Sequence, residues 1–419
     1  MAAAKRRPCK PTPPPPSCGQ NQHGKRLRPA APLPDEVDDA AAAAPTTQQQ
    51  HPQPLLPGLP DHLAQLCLSP LPPGLLHAVC RPWRRLMYSP SFPPFLSLYA
   101  LLDDADATAG VSFAAYDPVA GRWDALPPPP MPSPPPMLWH PSFLARRLPL
   151  QSVAAAGRLV LVSGSTQSLH PALSRPLVFT PAAPTPRWVL GPQIPLAPRR
   201  WCVAGAAHGR VFVAGGVGAV YDPVVARSGA AWDPVAPSAA WEPIPPLRDG
   251  RFSRDAAEAV CSGGKVCMVN LRSRGAKEGA VFDLLGGRWE DMPPGMLAGW
   301  KGPAAASPPN NGETIYVVDE ERGVLTAYDW GADRWTTVAE SERLKGAAGI
   351  AVGGGKACVV AGGGTNVVIV DVTPPKAAVR RWESSPAPPP PPPRMWEVAA
   401  PAGKRVVALH VLPRMTRPE

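Results

Sequence analysis

Hydrophobic and polar residues follow three different patterns along the chain. Residues 97–412 consist of short runs rich in Val, Leu, Ala and aromatic residues, separated by Gly, Pro and Asn, which predicts many short β-strands. Residues 55–96 contain leucines at helical spacing, for example Leu63 and Leu66, which predicts short amphipathic helices. Residues 1–54 combine proline, alanine and glutamine runs and cannot bury enough apolar surface to fold, so we expect a disordered tail.

The β-rich segment is a repeat with a period near 50 residues. Six times a strand end, usually an aromatic residue followed by Asp, precedes a Trp by seven to twenty residues. The successive Trp residues are separated by 65, 53, 48, 46 and 47 positions. The six pairs are Tyr116 with Trp123, Phe179 with Trp188, Tyr221 with Trp241, Phe282 with Trp289, Tyr328 with Trp335, and Val370 with Trp382.

Glycine pairs follow a strand in several repeats, as in Gly215-Gly216 and Gly362-Gly363. With the Trp period, these pairs make residues 97–412 similar to a kelch-repeat β-propeller, a mainly β fold in which each repeat is a four-stranded blade. The count is six blades, with seven as the alternative, and Trp232-Asp233-Pro234 is interpreted as part of an insertion in the third repeat. The first repeat lacks an opening strand and residues 405–412 form an unpaired one, so we expect the two ends to close the ring.

Residues 55–96 resemble an F-box, a short α-helical module. The matching positions are Leu59-Pro60-Asp61, Leu63, Leu66, Leu68, Leu71-Pro72, Leu75-Leu76, Val79-Cys80, Trp83-Arg84 and Leu86. Pro82 departs from the family pattern, because a proline inside a regular helix costs about 3 kcal/mol. So short a helical segment leaves an apolar face uncovered, and either a partner protein or the neighbouring β body must bury it.

The order of tail, F-box and kelch propeller resembles the plant F-box/kelch-repeat proteins of the Skp-interacting type. The resemblance implies a substrate-recognition subunit of a Skp–cullin–F-box ubiquitin ligase. The F-box would bind a Skp-type adaptor, and through it a cullin-RING ligase, while the propeller binds the protein to be ubiquitinated. This role requires positioning rather than catalysis. The expected adaptor-binding residues are Leu59, Pro60, Leu63, Leu66, Leu71, Pro72, Leu75, Val79 and Trp83.

Long cationic and aromatic side chains follow several of the blade Trp residues, in the stretches that lead into the next repeat. If these loops converge, they form a basic surface with aromatic anchors, suited to an acidic or phosphorylated target. The alternative is that they are ordinary solvated loop residues. The expected target-binding residues are Arg200, Trp201, Arg251, Phe252, Trp300, Lys301 and Lys345.

Charge and cysteine usage limit which ligands, partners and cellular locations are expected for the protein. The net charge of +10 is scattered, with no basic stripe interleaved with aromatics, which argues against nucleic-acid binding. The clusters Lys5–Arg7 and Lys25–Arg28 fit either a nuclear import signal or a solvated tail, so a nuclear or cytoplasmic location is expected. The eight Cys show no C-x-x-C pair, and no apolar run is long enough for a membrane span, so we expect no metal, cofactor or membrane partner.

Two other functions stay open at this stage. The propeller could be a protein-interaction scaffold without a ubiquitin-ligase role, with the helical segment as a cap. It could also be an enzyme, since fold alone does not set function. The eight His are dispersed, and no nucleophile–His–acid or paired-carboxylate set can be assembled from the sequence, which weighs against catalysis.

Overall fold

The computed structural model describes residues 54–104, 111–139, 150–195, 198–236, 240–253, 257–270, 277–308, 313–373 and 392–417. Residues 1–53 of the predicted tail, with both basic clusters, lie outside the described residues, as does Trp382.

Three short helices precede the first strand: α1 (Asp61–Leu68), α2 (Pro73–Val79) and α3 (Arg81–Tyr88). Each begins with proline at or beside its first turn, where the missing N–H removes no intrahelical bond. Pro82 is one of these, in the first turn of α3, so the interior-proline cost expected from the sequence does not arise. We call α1–α3 together the helical module.

The rest of the chain is a six-bladed β-propeller, as the repeat predicted. The strands are β1 (Leu96–Asp104), β2 (Ser112–Asp117), β3 (Arg122–Ala125), β4 (Gln151–Ala155), β5 (Arg158–Ser163), β6 (Leu177–Phe179), β7 (Trp188–Leu190), β8 (Val203–Ala207), β9 (Arg210–Ala214), β10 (Gly229–Trp232), β11 (Glu242–Ile244), β12 (Ala257–Ser262), β13 (Lys265–Asn270), β14 (Gly279–Asp283), β15 (Arg288–Asp291), β16 (Ala304–Ala306), β17 (Ile315–Asp319), β18 (Val324–Asp329), β19 (Arg334–Glu340), β20 (Gly349–Gly353), β21 (Lys356–Ala361), β22 (Asn366–Asp371), β23 (Met395–Ala399) and β24 (Lys404–Pro413).

Each blade is an antiparallel sheet of four strands in sequence order, except the first, whose order is β24-β1-β2-β3. The C-terminal strand β24 is thus the innermost strand of blade 1 and pairs with β1 along nearly its whole length. The inner strands β24, β4, β8, β12, β16 and β20 contact one another around the ring. The expected closure of the ring by its two ends is confirmed, and it gives blade 1 four strands like the other blades.

The repeated Trp holds neighbouring blades together by packing and by a hydrogen bond. In four blades the Trp of the outer strand lies directly opposite an aromatic residue at the end of the preceding strand, with ring centroids 4.9–5.2 Å apart. The indole N–H then donates to a backbone carbonyl near the end of the preceding blade's outer strand. Trp188 donates to Pro127 O at 2.8 Å, Trp289 to Pro245 O at 2.9 Å and Trp123 to Ala399 O at 2.8 Å. The Trp therefore joins consecutive blades as well as packing inside its own.

In blade 3 the strand end and the insertion are assigned to different segments from those predicted. Strand β10 ends at Trp232, whose ring lies 5.4 Å from that of Trp241, so Trp232-Asp233 is the strand end of this blade. Tyr221-Asp222-Pro223 belongs instead to the insertion, where Asp222 caps the short helix α4 (Pro223–Arg227) by accepting from Val224 N. The sequence interpretation exchanged these two segments, because both present an aromatic-Asp-Pro step.

Blade 6 also departs from the prediction. Its outer strand is β23, and Met395, not Trp382, lies opposite Val370. Met395 is partly buried against the core between blades 5 and 6, whereas the adjacent Trp396 is 40% exposed on the other face of the strand. Met can fill this position because its flexible side chain adapts to an irregular apolar gap.

We predict that replacing Trp188 with Phe lowers the free energy of unfolding by about 2 kcal/mol, because Pro127 O loses its donor and a cavity replaces part of the buried indole. Trp396→Phe is the matched control and should cost less than about 1 kcal/mol, since that side chain is largely exposed. Chemical denaturation of the two variants measures the difference. Equal losses would contradict a role of the indole in joining blades.

Candidate functional site

The helical module has a buried side and an exposed apolar side. Leu68, Leu76, Leu86, Met87 and Tyr88 are each at most 7% exposed and form one core with Phe92, against which Val119 of the β2–β3 turn also packs. The opposite side carries apolar side chains with no cover. Leu59 is 38% exposed, Leu63 41%, Leu66 68%, Leu75 49% and Val79 51%. We call these five residues the exposed helical patch.

The nine residues expected to bind the adaptor divide into two groups. The five residues of the exposed helical patch lie at the surface, together with Pro60 and Pro72. Leu71 and Trp83 are only partly exposed and pack against the module's own core, where Trp83 Nε1 donates to Leu55 O at 2.8 Å. So many exposed leucine and valine side chains within some twenty residues are characteristic of a protein-binding surface.

A polar network fixes the helical module to blade 1. The Tyr88 hydroxyl donates to Asp117 Oδ2, and the Arg417 guanidinium binds the same oxygen at 2.9 Å and Asp124 Oδ2 at 2.6 Å. Arg417 also stacks over the Tyr88 ring at 4.1 Å. Burial and the adjacent Asp117 raise the pKa of the Tyr88 hydroxyl, so it stays protonated and serves as a donor.

The residue Arg414 adds a second attachment from the segment that follows β24. Its side chain is 2% exposed, and Nη2 donates to Ser89 O at 2.6 Å and to Phe92 O at 3.3 Å. Its backbone N donates to Phe95 O at 2.7 Å. Sequence reasoning did not find Tyr88, Asp117, Arg414 or Arg417 as a group, because the partners lie about 300 positions apart. The Tyr-Asp step at Asp117 was the one local signal.

The predicted target-binding loops lie on the opposite face of the propeller. Strand β1 starts beside the helical module, so in an antiparallel blade the β2–β3 turn returns to the same face. The connections from the outer strand of one blade to the inner strand of the next must then lie at the other end. They contain Arg200 and Trp201, Arg251 and Phe252, Trp300 and Lys301, and Lys345. We call this the far face.

Two of the predicted aromatic anchors are not available at the far face. Trp300 is fully buried in the core between blades 4 and 5, and Phe252 is 7% exposed in the core between blades 3 and 4. The sequence assigned both to the surface because each adjoins a cationic loop residue, but tertiary packing turns their rings inward. Trp201 is partly exposed, and the Arg200 guanidinium lies 4.2 Å from its ring centroid.

The exposed cations of the far face are mostly neutralised within the chain. Arg251 pairs with Asp249 at 2.9 Å and with Glu278, and Lys301 lies 3.7 Å from Asp319. Lys345 pairs with Glu342 at 2.8 Å. Further pairs join Arg248 to Asp291 and Arg343 to Glu397. The far face is therefore a mosaic of both signs rather than the uniformly basic surface that the sequence suggested, and Arg254 lies outside the described residues.

The central channel is lined mainly by Ala, Gly and Val of the inner strands, with a cavity volume of about 600 Å³. In it, His410 Nε2 lies 2.8 Å from Ser152 Oγ. Burial lowers the pKa of His410 to about 4, because the charged ring would lose its hydration. Within the described ranges no three His, Cys, Asp or Glu side chains cluster as metal ligands.

No helix among the described residues is long and apolar enough to cross a membrane.

The fold and the exposed helical patch define a β-propeller protein with an attached helical binding module. No family model matches the chain. The F-box/kelch-repeat protein SKIP25 of Arabidopsis thaliana is 42% identical over 382 residues, covering 87% of this chain and 91% of the relative. The F-box protein AFR of the same plant is 27% identical over 268 residues, covering 60% of this chain and 65% of the relative. The chain belongs to the plant F-box/kelch-repeat family.

We predict that Asp117→Asn loosens the helical module. The amide still accepts the turn N–H groups of Val119 and Ala120, but Tyr88 and Arg417 lose a charged acceptor and Arg417 keeps its pair with Asp124, which should cost about 1–2 kcal/mol. Hydrogen exchange of the α3 amides should accelerate while that of β16–β19 changes little. The control is Asp291→Asn, whose exposed pair with Arg248 should contribute at most about 0.5 kcal/mol. Unchanged exchange in α3 would refute the anchoring role.

We further predict an acid-sensitive contribution from His410. Its pKa of about 4 lies below the unfolded value near 6.5, so between these values the unfolded chain binds more protons and stability falls as pH falls. The loss should grow as the pH falls from 6.5 toward 4. His410→Gln removes the titration, so its thermal midpoint should drop less between pH 6.5 and 4. Parallel pH profiles for the two proteins would disprove this assignment.

Proposed function

We propose that the chain is the substrate-recognition subunit of a Skp–cullin–F-box ubiquitin ligase. Helices α1–α3 are the F-box and bind a Skp-type adaptor, and the propeller binds the protein to be ubiquitinated. The observation that carries this proposal is the exposed helical patch, because a folded chain that leaves five large apolar side chains uncovered on one module has a surface suited to a second protein.

The attachment of the helical module supports the same function. A receptor acts by raising the local concentration of its target beside the ligase, which requires that the two binding faces keep a defined separation and direction. Tyr88, Asp117, Arg414 and Arg417 join the module to blade 1 through charge-assisted hydrogen bonds at a largely buried junction. A target on the far face would then be presented across the body of the propeller.

The proposal assigns no covalent step to this chain. The family relatives carry F-box and kelch-repeat names, and the cysteine thiols of the propeller core are unsuited to nucleophilic chemistry. Burial raises the pKa of Cys267 and of Cys358 to about 12, which keeps both thiols protonated. Action in the nucleus or the cytoplasm is part of the proposal and is supported by the basic clusters near the N-terminus.

We predict that Leu66→Lys weakens binding of a purified plant Skp-type adaptor at least a hundredfold, because it places a charge in the centre of an apolar contact. Leu66 is 68% exposed, so thermal stability should change little. Isothermal titration calorimetry with the full chain measures the affinity.

The matched control is Leu285→Lys in the β14–β15 turn, where the leucine is 93% exposed and far along the chain from the helical module. This variant should bind the adaptor like the unmodified protein. If Leu66→Lys also binds normally, or if the unmodified chain does not bind the adaptor at all, the receptor function is wrong and a scaffold without a ligase role takes its place.

A further inference from the structure

Two consecutive arginines of the far face have no carboxylate partner in the described part of the chain. Arg199 and Arg200 precede β8, and no Asp or Glu oxygen of the described residues lies within ion-pair distance of either guanidinium. Arg248, Arg251 and Lys301 on the neighbouring connections each have such a partner. Arg199 and Arg200 thus place two adjacent positive charges in one loop without a neutralising carboxylate among the described residues.

Arg199 is almost completely buried, with 1% of its surface exposed. Its Nη1 donates to Gly215 O and to Ser228 Oγ, both at 3.0 Å. Nε and Nη2 have no acceptor among the described residues, and the same is true of Nε and Nη1 of Arg200. Four buried nitrogens of adjacent guanidinium groups are thus without an acceptor in the part of the chain that the structure describes.

This arrangement is unfavourable for a residue whose role is only structural. A guanidinium stays charged at neutral pH, and burying a charge among neutral groups is costly unless an opposite charge compensates it. Burial lowers the pKa of both groups, as expected where the desolvation of the cation is not offset by an anion. Uncompensated polar groups of this kind occur where a chain gives up stability for binding.

The second arginine is held in place before any ligand arrives. Arg200 N donates to Val217 O at 2.9 Å and Val217 N donates back at 2.8 Å, which fixes the loop against the insertion of blade 3. The guanidinium stacks on Trp201, whose backbone is in the left-handed region with φ +59°. Stacking restrains the plane of the guanidinium, which lowers the entropic cost of binding.

The surface beside these arginines suits a polypeptide. Three residues beyond Val217, the insertion presents Val220, which is 77% exposed, and Val224, which is 68% exposed. An apolar side chain next to a charged group on a target could rest there while the acidic group meets the arginines. The neighbouring apolar surface distinguishes this loop from a site suited to a free ion alone.

We propose that Arg199, Arg200 and Trp201 form an anion-binding site that captures an oxyanion, either a carboxylate or a phosphate group, on the target protein. This inference rests on the proposed function, since it names the chemistry by which the propeller recognises its target. A planar guanidinium fork matches both oxyanions, and two adjacent forks favour the doubly charged phosphate.

The test titrates the full chain with inorganic phosphate and, separately, with acetate at constant ionic strength, using calorimetry and the thermal midpoint. Phosphate should bind and raise the midpoint, whereas Arg200→Met should raise the Kd for phosphate at least tenfold. Arg248→Met is the matched control, since its ion-paired arginine lies on the same face, and it should respond like the unmodified chain. A response to acetate but not to phosphate would support the site and identify a carboxylate as the group that it binds on the target.

The variant Arg199→Met separates binding from structure. If Arg199 serves binding, Met should keep or raise the thermal midpoint, because it removes a buried uncompensated charge, and it should abolish the phosphate response. No response to either anion in the unmodified chain, or a phosphate response in Arg199→Met and Arg200→Met as strong as that of the unmodified chain, would overturn the site. Adaptor binding, measured in parallel, should be intact in both variants, so failure here and failure of the receptor function are distinguishable.

Discussion

The architecture depends on one hydrogen bond that recurs around the ring, from a Trp indole N–H to a carbonyl near the end of the preceding blade's outer strand. Five blades show it, with donors Trp123, Trp188, Trp241, Trp289 and Trp335. A twisted four-stranded sheet leaves apolar faces that its neighbours must cover, and the indole supplies both a large apolar surface and a directional bond. Consecutive blades are therefore held in one register, and the loops of each face are displayed at fixed positions.

The Asp that follows the aromatic residue stabilises a turn within its own blade. Asp117 Oδ1 accepts from the backbone N of Val119 and Ala120, and Asp283 Oδ1 accepts in the same way from Leu285 and Gly286. Such side-chain bonds fix the tight turn that returns the chain toward the Trp. In blade 1 the same Asp117 also receives Tyr88 and Arg417, so a turn-forming residue of the repeat has become the attachment point of the helical module.

The sequence was sufficient for features that repeat and insufficient for features that depend on distant partners. The spacing of Trp and aromatic-Asp steps predicted six blades, with seven as the alternative. The unpaired run at 405–412 predicted the closing strand, and the leucine spacing at 55–96 predicted the short helices, because each is a local pattern. The sequence interpretation misassigned Tyr221 and Trp232, which share the same tripeptide form, and it could not foresee that Met395 would replace a Trp. It placed Phe252 and Trp300 at the surface and treated the loop cations as free, because burial and the partners Glu278 and Asp319 come from other segments, and the pairing of Arg251 with the nearby Asp249 was overlooked.

Closure of the ring and attachment of the helical module depend on the same C-terminal segment. Strand β24 completes blade 1, and the residues directly after it, Arg414 and Arg417, bind the module. Until β24 has paired with β1, neither arginine is in position, so the module is joined to blade 1 only through Tyr88 and the contact with Val119. The last part of the chain thus completes both the propeller and the attachment of the helical module. A receptor built in this way would offer the exposed helical patch in its working orientation only after the ring that carries the target site is closed.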